Sequence, residues 1–315
     1  MRIVSLLPSA TEILFAVGAG DHVVGVTFEC DHPPEARTRR IVSTSALPEG
    51  LSPAEIDAAV SARMAAGEDL YHLDAGALAG LDADLVVTQD LCAVCAVDAA
   101  DVEAALDHLG CDGRVLTVAP GDLAGVLASI RALGDAVGAG PAARRLTDDL
   151  EARLAAVRDR VAGAPRPRTL VLEWTDPPYA PGHWVPDMVA AAGGAGVLGA
   201  ASRTSERVTW EAVTAAGPEV VVCAPCGFGL ADSAAAGRDL LARGLLPVDA
   251  EVWAVDANAS WARPGPRLVD GVEALAGILH PGRAEPPRRE SAQILRRTPT
   301  TTPARVTSSS GTIGS

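Results

Sequence analysis

The chain of 315 residues carries 26 basic and 40 acidic side chains, a formal net charge of −14, and every basic residue is arginine. The negative balance works against binding phosphate backbones or anionic lipid, and the absence of lysine excludes Walker-type phosphate loops, Schiff-base chemistry and a kinase-type lysine. With 48% hydrophobic but only 3% aromatic residues, the core is left to Ala, Val and Leu, so each aromatic becomes informative.

Short Val- and Leu-rich runs alternate with Ala-rich helical patterns, which is the mark of parallel sheets covered by helices. In the first half the pattern predicts strands at Arg2–Leu7, Val23–Thr27, Leu85–Thr88 and Arg114–Val118. The helices predicted there are Ala10–Val17, Pro53–Ala66, Ala99–Leu109 and Leu123–Val137. Leu146, Leu150, Leu154, Val157 and Val161 then recur at steps of three and four, predicting one long amphipathic helix over about 142–162. Gly163-Ala164-Pro165 breaks it. Beyond lie predicted strands at Thr169–Trp174, Val220–Cys223 and Val252–Asp256, with helices at Met188–Ala192, Ala234–Ala242 and Leu268–Leu279.

Leu81-Asp82-Ala83-Asp84-Leu85-Val86-Val87-Thr88 parallels Ala216-Gly217-Pro218-Glu219-Val220-Val221-Val222-Cys223, a weak repeat consistent with two similar lobes. The expected fold is therefore α/β, with two three-layer lobes, parallel sheets, a long bridging helix and a ligand cleft between the lobes. The expected boundaries are 1–140 for the first lobe, 141–163 for the bridge and 164–281 for the second lobe, with a disordered Arg/Pro/Thr/Ser-rich tail at 282–315. No apolar run reaches the ~18–20 residues that span a bilayer, so no membrane insertion is expected. The first residues read directly as a strand with no leader before them. Taken as it stands, this predicts a cytoplasmic protein, and an extracytoplasmic one if the start is truncated.

Ligands of open α/β sheets bind outside the carboxyl ends of the strands. After the first strand, Pro8-Ser9-Ala10-Thr11-Glu12 reads as a capping box, with Ser9 as N-cap and backbone N–H groups open to a ligand. The second strand leads to Phe28, Cys30 and His32, and the Leu85 strand to Gln89, Cys92 and Cys95. In the second half Trp174, Tyr179, His183 and Trp184 follow one strand, Cys223 and Cys226 another, and Trp261, Arg263 and Arg267 the last.

Two C-x-x-C pairs with Cys30 and His32 admit a zinc or iron–sulfur site, a redox pair, or simple core packing. Four of the ten aromatics on second-lobe loops predict an apolar platform for a large ligand, and the arginines a clamp for its polar periphery. Nothing in the motifs demands catalysis.

Ile3-Val4-Ser5-Leu6-Leu7-Pro8-Ser9-Ala10-Thr11-Glu12, the Pro33-Pro34 turn, Asp84-Leu85-Val86-Val87 and Arg263-Pro264-Gly265-Pro266-Arg267 together resemble the vitamin B12 and iron-siderophore substrate-binding proteins of ABC importers, most of all the cobalamin-binding branch. The resemblance spans about residues 1–281. It implies a non-catalytic monomer that holds cobalamin, or another corrinoid or metal chelate, between its lobes. Ser9, Phe28, Gln89, Trp174, Tyr179, Trp184, Trp261 and Arg263 are the expected contacts. It also implies an ABC permease partner met through an acidic residue on each lobe; Glu211 fits the second-lobe position, while Gly76 falls at the first, with Asp74 nearby. The rival reading on the same scaffold is a cytoplasmic metal or iron–sulfur protein that uses Cys30, His32, Cys92, Cys95, Cys223 and Cys226.

Overall fold

A computed structural model describes residues 1–68, 70–78, 80–89 and 113–297. The predicted helix Ala99–Leu109 and the thiols of Cys92, Cys95 and Cys111 lie outside the described residues.

The first lobe is built on a six-stranded sheet in the order β4-β3-β2-β1-β5-β6. Its strands are β1 (Ile3–Ser5), β2 (Val23–Thr27), β3 (Arg40–Ser45), β4 (Tyr71–Leu73), β5 (Leu85–Thr88) and β6 (Arg114–Thr117). All pairs are parallel except β3 with β4. β1 and β5 are buried along their whole length, as strands covered by helices on both faces must be. The chain winds outward from β1 through β2 and β3 on one side and through β5 and β6 on the other. The topological switch point therefore lies between β1 and β5, where an open parallel sheet splays a crevice.

The second lobe repeats the plan with β7 (Arg168–Leu172), β10 (Ala195–Gly196), β12 (Val220–Cys223), β13 (Glu251–Val255) and β14 (Ala292–Arg296), in the order β10-β7-β12-β13-β14. Between β7 and β10 the chain also forms a small antiparallel sheet with its later segment, from β8 (Trp174–Thr175), β9 (Pro178–Ala180) and β11 (Glu206–Arg207). These two- and three-residue strands, with β3, β4 and β10, carry no periodicity and escaped the sequence reading.

β14 corrects a second expectation. It falls within the stretch read as a disordered tail, yet it pairs antiparallel with β13, buries Ala292 and packs Leu295 against the core. Arg296 further donates to the carbonyls of Pro247 and Ala250. Three apolar positions among arginines sufficed because the partner edge was already formed.

The bridging helix runs over Gly140–Val161. Ala143 and Leu150 belong to the first-lobe core, Val157 and Val161 to the second, and Leu154 packs against both. Helix Leu123–Ala136 crosses it so closely that a Cβ on Gly134 would fall 2.2 Å from the Ala143 Cβ. Arg153 of the bridge pairs with Asp270 at 2.5 Å and Glu273 at 2.7 Å on helix Leu268–Leu279. Helix Leu123–Ala136 gives Leu123 and Val126 to the second-lobe core, and helix Leu268–Leu279 returns Val269 to the first. Under the cleft the lobes share one packed floor.

Candidate functional site

The loops at the carboxyl ends of the two sheets meet. At the back of the cleft the meeting is ionic. α1 (Pro8–Ala16) begins with proline at its first turn and buries seven of its nine residues, so Glu12 is carried into the interior. Its carboxylate, 3% exposed, accepts from Arg267 Nε at 2.9 Å and from Arg263 Nη1 at 3.2 Å. Arg263 also donates to Asp31 at 2.5 Å and to the Glu29 carbonyl at 3.0 Å. Burial works to raise the Asp31 carboxyl, but the hydrogen bond and charge of Arg263 outweigh it and hold Asp31 below the ordinary carboxylate range.

This geometry revises two expectations. The N-cap of α1 is Leu7, Ser9 lies inside the helix with an unpartnered buried hydroxyl, and Glu12 serves the opposite lobe rather than a capping box. Gly265 packs over this turn, 3.7 Å by its Cβ direction from both Ser9 Cβ and Glu12 Oε2. The helix start is therefore covered by the Arg263–Arg267 loop. Arg263, 7% exposed and satisfied by carboxylates of the first lobe, is a tie between lobes instead of a ligand clamp.

At the front the lobes meet through α2 (Pro53–Ala66). Ser52 and Glu55 form a reciprocal capping box and Pro53 occupies the first turn, so the helix is well started although none of its residues is buried. Pro53 and Asp57, four apart, share one face. That face meets the small sheet, where the register sets Trp174 opposite Tyr179 and Tyr179 opposite Arg207. Directly opposed residues project from the same side. Trp174 Nε1 donates to the Pro53 carbonyl at 3.1 Å, the Tyr179 hydroxyl to Asp57 at 3.1 Å, and Arg207 to Asp57 at 2.7 Å. The Arg207 guanidinium also stands 5.8 Å from the Tyr179 ring centroid.

Behind the small sheet, Glu173 accepts from Ser205 and from the Gly182 amide, and burial raises its carboxyl to about 7 despite both donors. Neither Glu173, Asp57 nor Arg207 was marked in the sequence, since their side-chain partners (Ser205 for Glu173, Tyr179 and Arg207 for Asp57) lie 32 to 150 residues away. His183, a cleft candidate, is half-buried beside Trp184 with a left-handed φ of 48°, and burial depresses its imidazole.

Under the amino end of α2 is a wedge of about 670 Å³ lined by Leu51, Pro53 and Ile56 of one lobe and Thr175, Phe228 and Arg243 of the other. Trp174 and Phe228 stand edge to face on this side, with centroids 5.4 Å apart. The first lobe offers Phe28 and Tyr71 at the carboxyl edge of its own sheet, 6.1 Å apart. The Tyr71 hydroxyl donates to Glu29 at 3.4 Å, whose carboxyl is raised by burial and held down in turn by Arg263 and Tyr71. Gln89 lies buried at the end of β5. Tyr71 and Phe228 were legible only as rare aromatics, because β4 and the Phe228 loop had no pattern of their own. A second, polar pocket of about 250 Å³ holds Asp31, His32, Asp256, Asn258 and Arg267.

The remaining candidates are placed elsewhere. Trp184 and Trp261 are 6% and 2% exposed inside the second-lobe core, and Trp184 Nε1 donates to the Trp261 carbonyl at 2.7 Å. They support the platform loops and are not its surface. Cys30 sits in the first-lobe core between the Thr11 and Thr27 hydroxyls, and burial pushes its thiol up. Cys223 is enclosed in the second-lobe core, its thiol pushed up to about 12 by burial, while Cys226 is exposed. Among the described residues no three His, Cys, Asp or Glu side chains gather as a metal site. The expected joining of Cys30, His32, Cys92, Cys95, Cys223 and Cys226 in one metal site is revised for two members, since Cys30 and Cys223 are core groups of different lobes, while Cys92 and Cys95 lie outside the described residues.

Two α/β lobes over a shared helical floor, with aromatic and charged side chains at facing sheet edges, define a cleft-type solute-binding protein. The chain belongs to the periplasmic binding protein family, whose model it matches over residues 3–244. A periplasmic heme binding protein from Pseudomonas aeruginosa is similar with TM-score 0.69 at 21% identity, covering 95% of this chain and 99% of its own. The periplasmic vitamin B12 binding protein BtuF of Vibrio cholerae is similar with TM-score 0.62 at 23% identity, covering 88% and 96%. The periplasmic heme-binding protein RhuT from Roseiflexus sp. RS-1 is similar with TM-score 0.60 at 25% identity, covering 90% and 98%. Comparison with curated proteins returns no match. The family points to an extracytoplasmic location and so overturns the cytoplasmic placement expected from the first residues.

Proposed function

We propose that the protein is a non-catalytic solute-binding protein that holds a corrinoid, cobalamin-like ligand in the inter-lobe cleft for an ABC importer. The observation that carries this reading is the distribution of aromatics. Phe28 and Tyr71 stand at the ligand edge of one sheet, and Trp174, Tyr179 and Phe228 at that of the other. A flat, partly apolar macrocycle is what two opposed aromatic edges bind well, and a wedge of about 670 Å³ lies within the range of small-molecule sites. The polar pocket with Asp31, His32, Asp256 and Asn258 offers acceptors and donors suited to amide side arms. A neighbour that binds vitamin B12 supports the same reading. Exposed Glu211 and Asp74 are the acidic residues through which the lobes would meet a permease.

An iron porphyrin is the competing ligand, because heme-binding proteins share the fold. Competition decides between them. The purified chain is mixed with equal cyanocobalamin and haemin, desalted, and its absorption spectrum recorded. Retention of the corrinoid bands supports the proposal. Retention of a porphyrin Soret band alone replaces corrinoid with haem, and a colourless protein refutes both.

A further inference from the structure

We propose that α2 is a lid latched over the cleft by Asp57, and that solute reaches Trp174 and Tyr179 by displacement of this helix while the lobes stay together. The inference rests on the cleft being the solute site.

The two ends of the cleft are closed by contacts of different kinds. The back is tied by Glu12 and Arg263, both under a tenth exposed, joined with Arg267 and Asp31. Beneath it, Leu154 belongs to the packing of both cores. Spreading the lobes would strip water-free charges of their partners and open that floor, which is costly. The front has neither obstacle. α2 buries none of its fourteen residues, so little apolar packing holds it in place or keeps it wound once its contacts to the second lobe are lost. What binds it to the second lobe is one acceptor face, the Pro53 carbonyl and the Asp57 carboxylate, read by Trp174, Tyr179 and Arg207. Arg207 is 53% exposed and Asp57 15%, so water reaches the guanidinium side of this pair, unlike the sealed tie at the back.

The latch also occupies the groups a ligand would use. Trp174 and Tyr179 donate to α2 while the cleft is shut, and the wedge of about 670 Å³ opens directly under Leu51, Pro53 and Ile56. A helix with few buried apolar contacts and solvent-exposed bonds belongs to the low-stability end of a fold, where moving elements are found. Arg63 donates to the Ala46 carbonyl at 3.0 Å, which anchors the far part of the helix to its own lobe. The displacement is thereby confined to the end that carries Pro53 and Asp57.

Hydrogen–deuterium exchange on the full, ligand-free chain tests the lid without any ligand. Amides of α2 are expected to exchange at least ~100-fold faster than those of helix Leu268–Leu279. Asp57→Ala and, independently, Arg207→Ala should each speed α2 exchange by about tenfold and leave Leu268–Leu279 unchanged, with Asp57→Asn in between because it keeps an acceptor for Tyr179. Protection of α2 equal to that of Leu268–Leu279, or no response to Asp57→Ala, overturns the proposal. In stopped-flow mixing with cyanocobalamin and with haemin, Asp57→Ala should raise the association rate of whichever chromophore binds by about tenfold. An unchanged rate with clear binding also overturns it. If neither chromophore binds, the solute reading fails, and the exchange result alone decides the lid.

Discussion

Glu12 holds two arginines of the opposite lobe from a position nearly sealed from water. Removing one partner of such a network leaves buried guanidinium charge uncompensated, which costs about 3–5 kcal/mol. Glu12→Gln is therefore expected to lower the urea midpoint strongly with an unchanged slope, whereas Asp57→Ala at the partly buried latch should cost about 1–2 kcal/mol. Glu173 gives a stability signal of the opposite kind. Its folded carboxyl holds a proton up to about pH 7, whereas the ordinary value is 4.5. The native state binds more protons between those values, so this group's contribution to stability falls as pH rises through that window. Glu173→Gln should flatten the decline, seen as a smaller Tm difference between pH 5 and pH 7.5; an unaltered difference would contradict it. Arg263 and Glu12 were both visible in the sequence and both assigned the wrong task. They are 251 residues apart, and a Ser-x-x-Glu start looks the same whether the glutamate turns back to its own helix or across a cleft. The thiols misled for a related reason. C-x-x-C spacing says nothing of depth, and Cys223 is in the core while Cys226 is outside.

At the scale of elements, long periodic patterns were readable and short paired strands were not. The bridging helix, helix Leu268–Leu279 and strands such as Val220–Cys223 show in the sequence because burial repeats along them. β8 and β9 form a hairpin of two- and three-residue strands, too short to show alternation, and β11 joins it from later in the chain; this small sheet carries the front of the site. The tryptophans divide along this line. Trp184→Ala or Trp261→Ala should cost about 3–5 kcal/mol of stability through a core cavity. Trp174→Ala removes a half-buried ring and should leave the unfolding transition close to that of the parent. β14 permits a further check. A chain ending at Ser291 would expose the β13 edge and the seat of Leu295, and it is expected to melt several degrees lower and aggregate more readily. Equal melting would mean that β14 merely rests on the sheet.

For the whole molecule, the two-lobed architecture was legible because each lobe announces itself by alternating strands and helices, with one uninterrupted apolar stripe between them. The chemistry of the cleft was not, since it comes from loops whose meeting depends on how the lobes face. What faces inward is an ionic tie at the back, a helix at the front and aromatic edges on both sides. The most direct test of the cleft as a corrinoid site is an equilibrium titration of cyanocobalamin into the full chain, followed by absorbance, beside the same titration of Trp174→Ala. Saturable one-to-one binding is expected, weakened about ten- to a hundredfold in the variant by loss of the apolar contact. Absence of saturable binding, or binding that Trp174→Ala leaves untouched, would contradict it.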